Sequence, residues 1–411
     1  MNLITPDHSG PLRALAHHYR NELGLLAAVL AVIGLTCVLN DSYLVKPGYN
    51  AREILHEASL LGIFALGAGI VIIAGGIDLS SGSVIAFSGS VCVLVLMFMA
   101  PLDDAGRPIT NDLPTHAFFI AFAAALSVGA LVGTLHTWLI TIVRLPPFVA
   151  TLASLVGLRS LTRIMNQTIT RDYFGEKKIL ISIKDPDFLF GRDGWWIPPA
   201  IFLVLSFLLW VLMNRTIVGR HLYAMGGNEE AARLSGIRTE RIKWIAYTIG
   251  TMTAALAGIL YTIKVGSADP SSQGRGYELN AIAAAVVGGC SLQGGIGLVP
   301  GIMLGALFLR VVIDAIGKVF LVGSTDIEGL IVGFLVVLAV AFNELRRHAG
   351  NVRMRFFPGL FGVLVIAILT LLTGTVLYAT GGAKYGQVGA VVTLALLAAI
   401  KIFEDRRAAK A

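Results

Sequence analysis

The chain has 411 residues, with 32 Lys and Arg against 25 Asp and Glu, a formal charge of +7. Only 14% of the residues are charged and 56% are hydrophobic, where an average soluble domain has roughly 25% and 45–50%. With a mean hydropathy of +0.78 and long uncharged runs, the chain reads as an all-α polytopic membrane protein. A soluble fold, a disordered chain, a secreted disulfide scaffold and a nucleic-acid-binding domain are excluded.

A spanning helix needs about 20 mostly apolar residues. In chain order the candidates are 23–40, 57–77, 79–101, 117–142, 146–164, 195–213, 244–263, the pair 281–292 and 297–319, 326–343, 357–379 and 386–403. The first lacks a small-residue cleavage site and reads as a retained helix, not a signal peptide. The run 79–101 follows its predecessor almost without a loop, and 281–319 is interrupted by glycines. Cys37, Cys92 and Cys290 each lie in an apolar stretch and form no CxxC pair.

Loop charge sets the orientation. Residues 1–22 are placed inside and 281–319 is treated as a hairpin. The inside segments (the N-terminus, Arg144, 215–243, 346–355 and the tail) then hold more Lys and Arg than the outside ones. Loop 101–116, with Asp103, Asp104 and Asp112 against Arg107, suits the outside. Both termini are then cytoplasmic. The expected organisation is a cytoplasmic segment 1–22, a transmembrane region 23–344 with a cytoplasmic loop 214–243, and a helical hairpin with a basic tail over 345–411.

Two breaks resemble each other. Gly75-Gly76-Ile77-Asp78-Leu79-Ser80-Ser81-Gly82 and Gly288-Gly289-Cys290-Ser291-Leu292-Gln293-Gly294-Gly295 share Gly, Gly, Leu and Gly at equal relative positions. Transporters built from repeats place broken helices at corresponding positions, with the solute route between the halves. Chance likeness of two glycine-rich turns explains the echo equally well.

Asp78 is the sole acidic residue between Glu57 and Asp103, and an ionisable group at that depth is costly unless paired or wet. Gly75, Gly76, Asp78, Ser80 and Gly82 are therefore candidates for a turn that lines or gates a route. The plainer alternative is that Asp78 caps a helix beginning near Leu79, while the serines satisfy backbone groups freed by the break.

A second candidate is Gly226-Gly227-Asn228-Glu229-Glu230-Ala231-Ala232-Arg233-Leu234-Ser235-Gly236-Ile237, in the most basic inside loop. Asn228 is a good N-cap, and Glu229 and Glu230 sit at the positive end of the helix dipole. Gly236 fits the position after the C-cap, with Ile237 folding back towards Ala232. A helix of about two turns is marginal alone. Ala231, Leu234 and Ser235 on one side suit docking onto a partner; the alternative is an interfacial helix lying on its own protein.

In the third, Gly288, Gly289, Gly294 and Gly295 permit a reversal, and the preceding small residues allow close helix approach. Glu278 and Asn280 stand where that helix enters from outside, to meet a ligand there or to cap the helix start. Arg310, Asp314 and Lys318, spaced by four, read as a mutually neutralising structural ladder. Arg159 and Arg163 read as snorkelling side chains.

No G-x-x-x-x-G-K-[ST] loop occurs; Gly317-Lys318-Val319 lacks both the hydroxyl and the upstream glycine. No HExxH or clustered Cys/His site occurs either. No catalytic residue, metal or cofactor is expected in this chain. If ATP drives transport, the ATPase is another polypeptide.

These segments resemble the membrane permease subunits of bacterial ABC importers for monosaccharides of the ribose, xylose and galactoside type. Gly75–Ser83 is similar to that family's GG-x-DLS-x-G-S segment. Gly226–Ile237 is similar to its GGN-x-EAA-R-x-SGI loop, and Glu278–Gly297 to its ELDAIAA…GG-x-S-x-x-GG-x-G block. The resemblance covers roughly residues 50–343. It implies about ten helices and a pathway formed with a second permease copy or a related chain. It also implies two cytoplasmic ATPase subunits carrying ATP and Mg²⁺, and an extracytoplasmic sugar-binding protein. Residues 226–237 would be the segment that contacts the ATPase, in the bacterial inner membrane, and Glu278 and Asn280 would face the binding protein or a sugar. Asn280 departs from the family's usual Asp, and 345–411 extends past its usual end. Nucleoside or branched-chain amino-acid permeases, an ATP-independent secondary transporter and a non-transporting scaffold are the alternatives.

Overall fold

The computed structural model describes residues 20–104, 106–175, 177–188, 194–320, 329, 330, 332–335, 337, 338, 341, 357 and 359–408. Ten helices among the described residues are long and apolar enough to cross a membrane. The chain is an all-α, multi-pass membrane protein. Most of the expected span 326–343 lies outside the described residues. Contacts divide the chain into two compact units, 1–319 with 324–340, and 320–323 with 341–411.

In the first unit α1 is Arg20–Leu39 and α2 is Pro47–Ile73. Helix α2 starts ten residues before the apolar run at 57, because Pro47 at the first turn pre-sets the backbone and Asn50, Arg52 and Glu53 continue a helix that hydropathy does not register. It ends at Ile73, short of 77, since Gly75 turns left-handed at φ +81°. Helix α3, Ser81–Met99, follows after seven irregular residues. Then come α4, Thr115–Thr141, and α5, Pro147–Phe174. Helix α5 runs ten residues past the expected 164 and stops at Gly175, φ +71°. Its extra turns carry polar residues with structural work: Asn166 donates to the Ile179 carbonyl at 2.8 Å, and the Thr170 hydroxyl accepts from Lys178 N–H at 2.9 Å.

Helix α6 is Ile197–Arg215, α7 Ile217–Gly227, α8 Glu229–Leu234 and α9 Thr239–Val265. Two-residue strands β1, Ile181–Ser182, and β2, Ser267–Ala268, pair antiparallel. Helix α10, Tyr277–Val287, has 11 residues. At 1.5 Å per residue it covers about 16 Å, roughly half a bilayer core. Helix α11, Val299–Phe320, returns through the bundle. This is the glycine-interrupted hairpin expected over 281–319.

Helices α2 and α9 form the centre. The spanning window of α2 is wholly buried, and α9 packs against α2, α3 and α4. Contact is close because small residues face backbone: Gly129 lies on Met252, and Gly133 on Thr248.

The second unit contains α12, Gly359–Gly381, and α13, Ala383–Ala408, packed on each other and joined at Gly382. Lys401 Nζ donates to the carbonyls of Phe357 and Gly359 at 2.9 and 3.1 Å, tying the two ends together.

Candidate functional site

The break between α2 and α3 is a buried polar turn. Asp78 is 4% exposed. Its Oδ1 accepts from the Ser80 N–H at 2.8 Å and from the Ser80 hydroxyl at 2.6 Å. The helix begins at Ser81, not near Leu79, and Ser80 is its N-cap. Asp78 therefore does not cap first-turn N–H groups; it pins the residue before them. The Ser83 hydroxyl donates to the carbonyls of Ser80 and Ser154 at 2.7 and 3.3 Å, and Thr151 donates to the Ile77 carbonyl at 3.3 Å. Ser81 Oγ is buried without a hydrogen-bond partner. Sequence reasoning missed His136, fully buried, with Nε2 2.8 Å from Ser154 Oγ and its ring against Tyr247. The signal was available: His136 is an ionisable residue inside the run 117–142, the same argument that singles out Asp78.

The three glycine segments meet backbone to backbone. Helix α7 starts at Thr216, whose hydroxyl accepts from Gly219 N–H at 3.2 Å, and ends with Gly226 against the first break. A Cβ on Gly226 would overlap the Ile73 carbonyl and lie 2.6 Å from Gly295 N. Gly295 N–H donates to that same Ile73 carbonyl at 2.8 Å. Gly294, at φ +87°, leaves no room either: its Cβ would lie 2.8 Å from the Gly75 Cα. Gly76 faces the Tyr247 hydroxyl. Tyr223 donates to the Gly297 carbonyl at 2.8 Å, and burial pushes its phenol up to about 12, so the hydroxyl stays a donor. Gly75, Gly226, Gly227, Gly294 and Gly295 thus form one knot between two helix breaks and the end of α7.

Helix α8 stands directly on this knot. Asn228 Oδ1 accepts from Ala231 N–H at 2.9 Å. Gly236 N–H donates to Arg233 and Ile237 N–H to Ala232, at 3.0 and 3.1 Å, which closes the helix in a Schellman ending with Gly236 at φ +83°. Ala232 is buried, and Glu229 bridges to Lys243 of α9 at 2.6 Å, so one side is anchored. The other side is open: Ala231 and Ser235 are exposed, and Leu234 is 81% exposed.

Glu278 and Asn280 lie elsewhere. Glu278 Oε2 is buried against Gly82 without a hydrogen-bond partner, and Asn280 is buried in the bundle. Gly288 packs on Gly301, bringing α10 against α11. Two expectations are corrected here. Asp314 bridges Lys318 at 2.8 Å, but Arg310 leaves this ladder and turns to Glu57 on α2 at 4.0 Å. Arg159 does not snorkel; it donates to the Pro270 and Gln273 carbonyls at 3.0 and 3.1 Å, clamping the loop before α10. Arg163 is exposed. Among the described residues no group of three or more His, Cys, Asp or Glu could hold a metal ion.

Residues 50–340 match the family described as the permease component of branched-chain amino acid transport systems. The chain is 33% identical to the ribose import permease protein RbsC of Bacillus subtilis (strain 168), covering 80% of this chain and 94% of that protein. It is 33% identical to the autoinducer 2 import system permease protein LsrC of Enterobacter sp. (strain 638), covering 82% and 92%. With the fructose import permease protein FrcC of Rhizobium meliloti the identity is 28%, covering 81% and 88%. No solved structure matches.

Proposed function

The chain belongs to this permease family, and from that premise we propose that it is the translocating membrane subunit of an ATP-driven sugar importer. One observation carries the proposal: the exposed, self-capped helix α8 is joined without a spacer to a backbone knot that includes both breaks in the bundle. A push on α8 is transmitted through Asn228 and Gly226–Gly227 to 74–80 and 288–297. Backbone contacts without intervening side chains transmit such a displacement stiffly, because a packed interior deforms little. The knot lies at the cytoplasmic end, and ATPase subunits dock on α8.

Two ATPase subunits, carrying ATP and Mg²⁺, would serve two permease chains, this one and a second copy or relative. An extracytoplasmic sugar-binding protein would deliver solute at the opposite end. The location is a bacterial inner membrane with both termini in the cytoplasm; ATP hydrolysis belongs to the partners. Relatives named for ribose, fructose and autoinducer 2 favour a sugar. A branched-chain amino acid rests on the family's description alone. An ATP-independent transporter leaves the exposed α8 without a purpose.

The test is purification in nanodiscs with the cognate ATPase and binding protein, followed by ATP hydrolysis across a panel of pentoses and hexoses. Stimulation by one sugar is expected. A folded chain that retains no ATPase would overturn the proposal.

A further inference from the structure

Away from the knot, α2, α9, α10 and α11 enclose a cavity of about 40 Å³. Half its wall is aromatic, from Phe64, Tyr261 and Tyr277; the other half is polar, from Glu57, Asn280 and Arg310. The Phe64 and Tyr277 rings stack with centroids 5.8 Å apart and planes 6° from parallel, and Tyr261 lies 5.0 Å from Tyr277. Glu57 is 8% exposed and bridges to Lys264 of α9. Arg310 approaches Glu57 only to 4.0 Å, and its Nε is buried without a hydrogen-bond partner. Charged groups inside membrane helices are costly and rare, and they mark solute routes.

We propose that this cavity is the transit site of the sugar, with the C–H face of the ring on Tyr261 and Tyr277 and its hydroxyls on Asn280, Arg310 and Glu57. This rests on the functional reading above. Each sugar hydroxyl both donates and accepts. The wall supplies donors from guanidinium and amide, acceptors from carboxylate and amide, and flat amphipathic faces. A zwitterionic amino acid would need a carboxylate for its ammonium group, and the charge of Glu57 is already met by Lys264.

The cavity is collapsed in this conformation. A water needs about 10–15 Å³ on this measure, so the space holds a few waters, and a pentose enters only when the walls part. A transit site must also release its solute, which a tight cage would prevent. The walls that part are α10 and α11, the two helices joined by turn 288–297 of the knot, so displacement there reaches the cavity directly.

The experiment is uptake of labelled ribose, fructose and other pentoses and hexoses, with labelled leucine as the zwitterionic probe, into proteoliposomes holding the whole assembly. Tyr277→Leu and Asn280→Leu are each expected to raise KM for the transported sugar about tenfold, while Tyr277→Phe stays within about twofold because the ring face remains. Should the leucine variants fail to assemble, Ile313→Cys on the same wall is labelled with a small thiol reagent, and the transported sugar is expected to slow the labelling. Sugar uptake with unchanged KM in both leucine variants, or labelling indifferent to sugar, overturns the site alone. An unaltered assembly that imports no sugar of the panel contradicts the functional reading, and the sugar class of the site with it.

Discussion

Gly226 and Gly227 are adjacent glycines with opposite tolerances. A Cβ at 226 collides with the Ile73 carbonyl, whereas a Cβ at 227 meets nothing within 4 Å. Gly226→Ala is therefore expected to destabilise by about 1–3 kcal/mol through overpacking, and Gly227→Ala to stay within about 0.5 kcal/mol; thermal unfolding in nanodiscs separates them. At Asp78, Ala would strand the buried Ser80 N–H and hydroxyl at a cost of about 1–3 kcal/mol, whereas Asn keeps an acceptor oxygen there. Normal uptake and normal expression from Asp78→Ala would reduce that carboxylate to a dispensable prop. Asp78 was legible because a lone acid in an apolar run is conspicuous. The partners around it were not: Thr151, Ser154 and Tyr247 are ordinary residues of other helices, and only packing brings them to this turn.

The short helix α8 was the most legible element, because caps are local chemistry: Asn228 begins it and Gly236 ends it as the spacing indicates. Its surface pair Glu230–Arg233, at 3.2 Å, is worth little to stability. Glu230→Arg is therefore expected to leave the protein folded while ATPase co-purification and sugar uptake are lost. Gly236→Pro removes the N–H that closes the helix onto Arg233 and cannot hold φ +83°, so the same two losses are expected. Uptake unchanged in both variants would sink the docking role of α8. Spanning helices were legible in number and badly bounded. Hydropathy sees apolar runs, while the first turns of α2 and the last of α5 are polar and helical for other reasons: a proline at the start of one, and side-chain bonds to a returning loop at the end of the other.

Across the molecule, the glycine segments at 75, 226 and 294 are far apart in the chain and each reads alone as a turn. Their meeting in one knot is a tertiary fact with no counterpart in spacing, as is the turn of Arg310 from Asp314 to Glu57. The knot also explains the echo between the two breaks: both present glycine backbone to the same end of α7. If α8 drives the breaks through this knot, loosening it should separate hydrolysis from transport. The decisive measurement is the number of sugar molecules imported per ATP hydrolysed by the reconstituted assembly, with Gly226→Ala beside the unaltered chain. Hydrolysis that persists while imported sugar per ATP falls sharply is the expected result. An assembled Gly226→Ala complex with an unchanged ratio would contradict coupling through the knot.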